Sequence, residues 1–173
     1  GITYIGDGQS TLSDMIAIND TTVTFPGTVS TQYGVSGGTK VHVYQATNIA
    51  NAMLNGTDNI VQFGNNIIDS LDEWHVTYFQ PKVAGLYLIH ANVTVNVLGG
   101  IHSYTSIWIG SSRYCSTGFH QPDKGGYITI PITAVLNLST SSVIRIKFTH
   151  DAITNKDLIG GLHLTYFCAC RVG

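Results

Sequence analysis

Three acidic side chains lie close together in the sequence, at Asp69, Asp72 and Glu73. Hydrolysis of a glycosidic bond usually needs two carboxyl groups across the sugar, and calcium prefers several hard oxygen ligands. Glu73 is the single Glu of the chain, and the segment contains no contiguous calcium-loop motif. We therefore expect a turn capped by side-chain oxygens, with a catalytic or calcium site at this cluster as the alternative.

The imidazole side chains are spaced too widely to indicate a metal centre. No His-x-His or His-Glu-x-x-His arrangement is present, and these are the spacings that put two ligands on one face. Each of the seven histidines is expected to be structural or exposed: His42, His75, His90, His102, His120, His150 and His163. No Gly-x-Ser-x-Gly elbow accompanies the serines, so nucleophilic catalysis by serine has no support.

The three cysteines cannot all pair within one chain. Cys168 and Cys170 are two residues apart, so on a strand they point to the same face, which opposes a bond between them. Cys115 could reach either one. We expect buried free thiols, because free cysteine behaves as a small hydrophobe. These residue types together predict a chain without a catalytic site and without a cofactor.

Charge is scarce in the sequence, where 10% of residues are charged against an average of roughly 25%. The net charge is −2 and the eight Lys and Arg residues are scattered, which argues against nucleic acid as a partner. No apolar run reaches the ~18 residues that cross a bilayer, and residues 1–10 lack the pattern of a secretory signal. We expect no membrane insertion, and a surface partly covered by another subunit.

Alternation of apolar and polar residues dominates the sequence from about Val41 to the C-terminus. It predicts strands near 41–45, 60–63, 74–80, 85–97, 104–110, 113–118, 126–138, 142–149 and 159–172. Turn-forming residues separate these runs at Asn55-Gly56, Gly64-Asn65-Asn66, Gly99-Gly100, Asp123 to Gly126, Ser139 to Ser142 and Gly160-Gly161. Residues 49–54 are predicted to form a helical turn or an irregular loop. Short strands with such turns are typical of a sandwich or barrel.

Residues 1–38 have a different character from the rest of the chain. Ile16, Ile18, Val23 and Phe25 are isolated apolar positions among Asn, Asp, Thr and Gly, too few to form a core. The segment is predicted to dock on the main domain or to entwine with its copies as a stalk, with Gly34 to Gly38 as the linker.

Three groups of residues resemble one known superfamily. The first is Ile60-Val61-Gln62-Phe63, then Trp74, then the run from Phe79 through Pro81 and Val83 to Gly85-Leu86-Tyr87. The second is Ala134-Val135-Leu136-Asn137-Leu138, and the third is the run from Gly160-Gly161 to Tyr166-Phe167. Their order is similar to that of the superfamily of tumour necrosis factor and the complement globular head, also found in phage fibre tips and other trimeric appendages.

The resemblance implies an all-β, antiparallel jelly-roll β-sandwich that assembles as a homotrimer. Residues 39–173 would be the head domain, and residues 1–38 a short β-rich extension for attachment. The sequence departs from the superfamily in having Ser141-Ser142 where a Gly-Asp turn is usual. It also lacks a collagen-like Gly-x-y repeat in residues 1–38, which argues against a complement-like protein.

Alternation also indicates which residues would close the trimer. On the predicted strand 85–97, the face opposite the core changes from apolar to uncharged polar, which suits a surface buried around a threefold axis. The interface candidates are Leu86, Leu88, His90, Asn92, Tyr166 and Phe167. His90 on the axial face could form a ring of three imidazoles, so it is a weak metal candidate beside Asp69 and Asp72. A structural calcium or other ion on the trimer axis is the alternative to no cofactor.

Aromatic residues are the candidates for recognition, because exposed rings stack on sugars or fill pockets on a protein receptor. We expect them on loops at the end away from the stalk. The candidates for receptor binding are Tyr104, Trp108, Tyr114, Phe119, His120 and Tyr127. The alternative for Trp108 is packing, since it lies in an alternating strand.

The function predicted from these features is a non-enzymatic structural protein on the virion surface of a tailed phage. It would be the trimeric tip of a fibre that binds a host glycan or protein, with residues 1–38 contacting other virion proteins. One alternative is a trimeric capsid decoration or head-fibre protein, and another is a secreted complement-like recognition module.

Overall fold

The computed structural model describes residues 17–19, 22–24, 39–97, 101–121 and 125–172, with the backbone alone at 17–19 and 22–24. The chain divides into two compact units, Gly1–Ser36 and Gly37–Gly173. In the first unit, β1 (Ala17–Asn19) and β2 (Thr22–Thr24) pair antiparallel. The rest of the predicted segment 1–38, and the predicted turns at Gly99-Gly100 and Asp123-Lys124, lie outside the described residues.

In the described part of the second unit, all the regular secondary structure is β-strand. They are β3 (Lys40–Tyr44), β4 (Ile49–Met53), β5 (Asn59–Ile60), β6 (Asn65–Asp69), β7 (Trp74–His75), β8 (Tyr78–Phe79), β9 (Gly85–Val97), β10 (Ile101–Ile109), β11 (Ser112–Gln121), β12 (Gly126–Leu138), β13 (Ile144–His150), β14 (Lys156–Leu158) and β15 (Tyr166–Arg171). Within the ranges given above, no helix is long and apolar enough to cross a membrane.

Two antiparallel sheets form a sandwich. The six-stranded sheet runs β11-β10-β13-β8-β7, with β5 also pairing with β13. The seven-stranded sheet runs β4-β14-β9-β15-β3-β6, with β12 along the other edge of β9. Strand β9 pairs with β12 from Gly85 to Val97, and its opposite edge is shared by β15 and then β14. This is the predicted all-β jelly roll.

The core follows the alternation that the sequence shows. On β9 the inward residues are all buried, namely Tyr87, Ile89, Ala91, Val93, Val95 and Val97. Strands β12 and β13 contribute their apolar residues to the same cluster, with Ile128, Ile130, Ile132, Leu136, Leu138, Ile144, Ile146 and Phe148. A side chain on every second position therefore faces the opposite sheet, as expected for a sandwich.

Four aromatic rings join the two sheets at one end of the core. The Phe167 ring on β15 lies 4.9 Å from that of Trp74 on β7 and 5.9 Å from that of Phe79 on β8. Phe63 packs 5.6 Å from Trp74, whose indole N–H donates to the Phe63 carbonyl at 2.9 Å. Phe63, Phe79 and Phe167 have no exposed surface. Such contacts combine large apolar burial with favourable ring geometry.

Three sequence predictions about strands are wrong. Residues 49–53 form strand β4 rather than a helical turn or loop, because β14 offers a pairing edge through Lys156 and Leu158. The predicted turn at 64–66 is the start of β6, which pairs with β3. The predicted strand 74–80 is two short strands, since Val76 between them has a φ of 48°.

The predicted final strand 159–172 is also interrupted, leaving β15 to begin at Tyr166. A Cβ on Gly160 would lie 2.4 Å from the Thr47 backbone, so this position accepts only glycine. Just beyond, the buried Thr165 hydroxyl donates to the Ile159 carbonyl at 2.6 Å and accepts from the Thr94 N–H. Turn contacts, together with hydrogen bonds to Thr94 and Gln45, thus replace regular sheet pairing across residues 159–165.

Truncation of Phe167, whose ring contacts both Trp74 and Phe79, should show how much the aromatic cluster stabilises the sandwich. We expect Phe167→Ala to lower the free energy of unfolding by about 3 to 5 kcal/mol, because it leaves a cavity between the sheets. Ile153→Ala, at a side chain 94% exposed, is the control and should change it by less than about 0.5 kcal/mol. Urea unfolding measures both, and equal effects would contradict the role given to the cluster.

Candidate functional site

The outward side of the seven-stranded sheet carries apolar side chains that the described part of the second unit leaves partly exposed. Leu86, Leu88 and Val135 are 42%, 37% and 52% exposed. Val135 is the cross-strand neighbour of Leu88 in the β9–β12 pairing, so the two side chains lie on the same face. We call this surface the apolar face. The grouping of these side chains makes the apolar face the candidate interaction surface.

Toward the other end of β9 the same face becomes polar around His90. Its Nδ1 lies 2.7 Å from the Thr133 hydroxyl oxygen and its Nε2 lies 3.0 Å from the Tyr166 hydroxyl oxygen. The His90 and Tyr166 rings are 5.5 Å apart. Both ring nitrogens therefore have partners within one chain, one donating and one accepting in the neutral imidazole.

Burial sets the protonation of this pair. Desolvation lowers the pKa of His90 and raises the pKa of Tyr166, whose hydroxyl is also held neutral by the nearby Cys168. Both shifts favour the uncharged forms. The arrangement suits a hydrogen-bonded patch inside an interface rather than a charged surface.

The six predicted interface residues divide between the two sides of the sheet. Leu86, Leu88, His90, Asn92 and Tyr166 alternate with the buried residues of β9 and β15, so they are on the outward side. Phe167 is wrong as an interface residue, because it lies in the aromatic cluster with no exposed surface. The sequence showed that Tyr166 and Phe167 face opposite ways but not which one faces inward.

All three thiols are free and half-buried. Cys168 and Cys170 share the outward side of β15, where burial and then the neighbouring Cys170 raise the pKa of Cys168 to about 11. Burial also raises the pKa of Cys115. Cys115 and Cys168 are therefore protonated at neutral pH and are poor nucleophiles or metal ligands.

The acidic cluster forms the expected capped turn. The Asp69 carboxylate accepts from the backbone N–H groups of Glu73 and Trp74 at 2.9 and 3.0 Å. Glu73 is fully buried and accepts from the Thr39 hydroxyl at 3.1 Å and the Lys82 N–H at 2.6 Å. Asp72 is exposed and lies 3.8 Å from the Lys82 ammonium.

The carboxylates of Asp69 and Glu73 therefore have a structural role, because they accept the hydrogen bonds that hold this turn. Across residues 39–97, 101–121 and 125–172, no three His, Cys, Asp or Glu side chains are grouped to hold a metal ion. The weak metal candidates His90, Asp69 and Asp72 are thus not brought together within one chain.

The predicted receptor contacts lie on strands rather than on loops, which corrects their expected position. Tyr104 and Trp108 are on β10, Tyr114, Phe119 and His120 are on β11, and Tyr127 is on β12. Strand register also separates them. Phe119 pairs with the buried Ser103, so it points to the inner side of the sheet, whereas Tyr104 and His120 are outward. Tyr127 belongs to the other sheet.

The outward side of the six-stranded sheet also carries cations that were not among the predicted receptor contacts. The Lys147 ammonium lies 3.5 Å from the centre of the Trp108 ring, and the Arg113 guanidinium lies 5.4 Å from it. Arg145 lies 5.6 Å from the Tyr78 ring centre. The sequence signal that could have identified these cations was the position of Arg145 and Lys147, which alternate with the core residues of β13. Their approach to Trp108 and Tyr78 depends on pairing between distant strands.

Comparison with known proteins shows the fold alone. No protein-family model matches the sequence, and no curated protein matches it. Among solved structures, murine APRIL at pH 5.0 superposes with a TM-score of 0.59 and 13% identity, covering 78% of this chain and 99% of that one. The globular domain of zebrafish complement 1qA protein gives 0.58 and 14% identity, covering 79% and 98%.

A third structure, Eiger TNF from S. frugiperda, gives a TM-score of 0.58 at 8% identity, covering 79% of this chain and 94% of that one. The fold is therefore the jelly roll of tumour necrosis factor and the complement globular head, as the resemblance of motifs indicated.

The His90 cluster makes a testable contribution to stability. Because the pKa of His90 is lowered in the folded chain, the unfolded chain binds a proton first as the pH falls below about 6.5. The stability that neutral His90 contributes is present above that pH and is lost as the pH falls through the folded-state pKa.

We therefore expect His90→Gln to weaken the loss of stability between about pH 7.5 and about pH 5.5. Urea unfolding of both proteins at the two pH values measures this difference. An unchanged loss in the variant would contradict a role for His90.

Proposed function

We propose that this chain is the trimeric head of a virion appendage of a tailed phage, a non-enzymatic recognition module that binds a host surface. The observation that carries the trimer is the apolar face, which a sandwich of this fold leaves uncovered in one chain. The described residues place Leu86, Leu88 and Val135 there together. Their removal from water favours association by roughly 25 cal/mol per Å² of apolar surface.

Threefold symmetry requires that the apolar face meets a different surface of the next copy. The edge formed by β11 and β12 is suited to this, because it also carries exposed apolar side chains. Phe119 on β11 is 48% exposed although it points to the inner side of its sheet, and Tyr127 on β12 is 69% exposed. In a trimer, the edge of each copy would cover the apolar face of its neighbour.

Burial in a closed trimer would keep the hydrogen bonds of His90. The His90 imidazole already has the Thr133 and Tyr166 hydroxyls as partners, so its burial by a second copy leaves no nitrogen without a hydrogen bond. The axial surface would then be apolar at Leu86 and Leu88 and hydrogen-bonded at His90. We propose no resident cofactor; an ion on the axis is the alternative.

The virion role is supported by the composition of the first unit. Residues 1–38 are rich in Thr and Gly and are interrupted by Pro26-Gly27, which resembles fibre shafts. We propose that this segment attaches the head to other virion proteins and that the head lies on the virion surface. The absence of a paired-carboxylate or serine-nucleophile site in the sequence agrees with a binding role.

A charge placed in the apolar face should prevent assembly. We expect Leu88→Arg to convert the assembly into monomers, because the guanidinium would be buried against the neighbouring copy without a partner. Ile153→Arg adds the same charge at a side chain that is 94% exposed and outside the sheets. Sedimentation velocity should show monomers for the first variant and wild-type behaviour for the second. Equal behaviour of both variants would contradict the proposed interface.

Copy number on purified virions tests the appendage itself. Quantitative mass spectrometry should find this chain at tens of copies or fewer per particle, as expected for fibres. Hundreds of copies would overturn the appendage in favour of a capsid decoration protein. Virions without the chain would overturn both.

A further inference from the structure

The outward side of the six-stranded sheet combines aromatic and cationic side chains in neighbouring positions. Strand register places Trp108 between Arg113 on β11 and Arg145 on β13. Two residues earlier on β10, Ser106 lies beside Lys147. We call this surface the basic aromatic face. It is on the opposite sheet from the apolar face, and Trp108, Arg145 and Lys147 lie on β10 and β13, inside the β11 edge that is proposed to contact the neighbouring copy.

Two cations of this surface, Lys147 and Arg145, are held over rings without a neutralising acid. Lys147 lies above the Trp108 ring at 3.5 Å, and the Trp108 indole N–H donates to the Ser106 hydroxyl at 2.9 Å. Within residues 39–97, 101–121 and 125–172, neither Lys147 nor Arg145 has a carboxylate at ion-pair distance. A cation over an aromatic ring keeps its charge and its outward N–H donors available.

The local charge is opposite in sign to that of the chain. The whole sequence has a net charge of −2, yet this surface gathers Arg113, Arg145 and Lys147. Asp58 offsets one of them, accepting from Arg113 at 3.1 Å and from the Thr149 hydroxyl at 2.5 Å. The remaining positive charge makes the surface complementary to an anionic ligand.

Tyr104 adds a flat apolar platform to the same surface. A Cβ on Gly118 would lie 2.5 Å from Cδ1 and Cε1 of the Tyr104 ring, so the ring packs flat on the glycine backbone across the β10–β11 pair. The residue is 44% exposed, so part of it is open to a ligand. Trp108 lies four positions along the same strand, roughly 13 Å away.

We infer that the basic aromatic face binds an acidic polysaccharide. The apolar C–H face of a sugar ring would stack on Tyr104, and carboxylate or sulfate groups along the chain would accept hydrogen bonds from Lys147 and Arg145. This inference rests on the proposed function and specifies the host ligand as an anionic glycan. Nucleic acid is a poorer occupant, because high affinity for its phosphates needs many more cations than this surface offers.

Assembly would strengthen such binding. A trimer presents the basic aromatic face in three copies, so weak contacts to one long polysaccharide would combine through effective concentration. The ion contacts also predict that binding weakens as salt is added, because exposed charges are screened.

Binding of purified full-length chain to alginate, a polyuronate, and to dextran sulfate tests the inference, with neutral dextran and single-stranded DNA as comparisons. Biolayer interferometry at about 0.15 M salt should detect binding to at least one of the two acidic polysaccharides and none to neutral dextran. Alginate or dextran sulfate would identify carboxylate or sulfate as the preferred group. DNA binding of equal strength would overturn the inference, because it would indicate unspecific attraction of anions.

Substitutions test the cationic part and the aromatic part of the surface separately. Lys147→Gln and Tyr104→Ala should each weaken acidic-polysaccharide binding about tenfold or more. Gly118→Ala should weaken it as well, because the added methyl displaces the Tyr104 ring while every other side chain is kept. Lys82→Gln is the matched control, removing the same charge from an exposed lysine that pairs with Asp72. Thermal unfolding and sedimentation verify that each variant folds and assembles.

The results also distinguish this inference from the proposed function. Binding that is unchanged in Lys147→Gln and Tyr104→Ala, or absent for both acidic polysaccharides, would overturn the basic aromatic face even if the chain is present on virions. Binding to an acidic polysaccharide by a chain that virions lack would support this face and refute only the appendage role.

Discussion

The alternation along strand β9 is the constraint on which the rest of the structure depends. Its inward residues, from Tyr87 to Val97, form the centre of the core, and its outward residues begin with Leu86 and Leu88. Because side chains on a strand alternate strictly, the residues that build the core also determine which ones are left on the other side. A strand that is apolar on both faces at one end needs two partners. The opposite sheet supplies one, and the proposed neighbouring copy supplies the other.

This arrangement separates the source of stability from the surfaces proposed for assembly and for ligand binding. The inner faces of both sheets give stability through the aromatic cluster around Phe167. The outward side of the seven-stranded sheet is suited to assembly, and the outward side of the six-stranded sheet carries Lys147 over Trp108. The low charge content of the sequence fits this division. Two of its few cations, Arg145 and Lys147, alternate with buried residues on the single strand β13.

Much of this fold could be predicted from sequence, because period-two patterns and glycine turns act locally. The long strands β9, β12 and β13 were predicted this way. The short strands β4 and β6 were not, since they depend on edges provided by β14 and β3 far along the chain. The receptor candidates were chosen for their aromatic character, which says nothing about register. Strand register places Phe119 and Tyr104 on opposite sides of the sheet, and it places Lys147 over the Trp108 ring.

Native mass spectrometry of the full-length chain at micromolar concentration tests the central claim most directly, which is that the apolar face closes a trimer. The account predicts a single species with the mass of three 18.6 kDa chains. A monomer that stays folded with Leu86, Leu88 and Val135 exposed to water would contradict it.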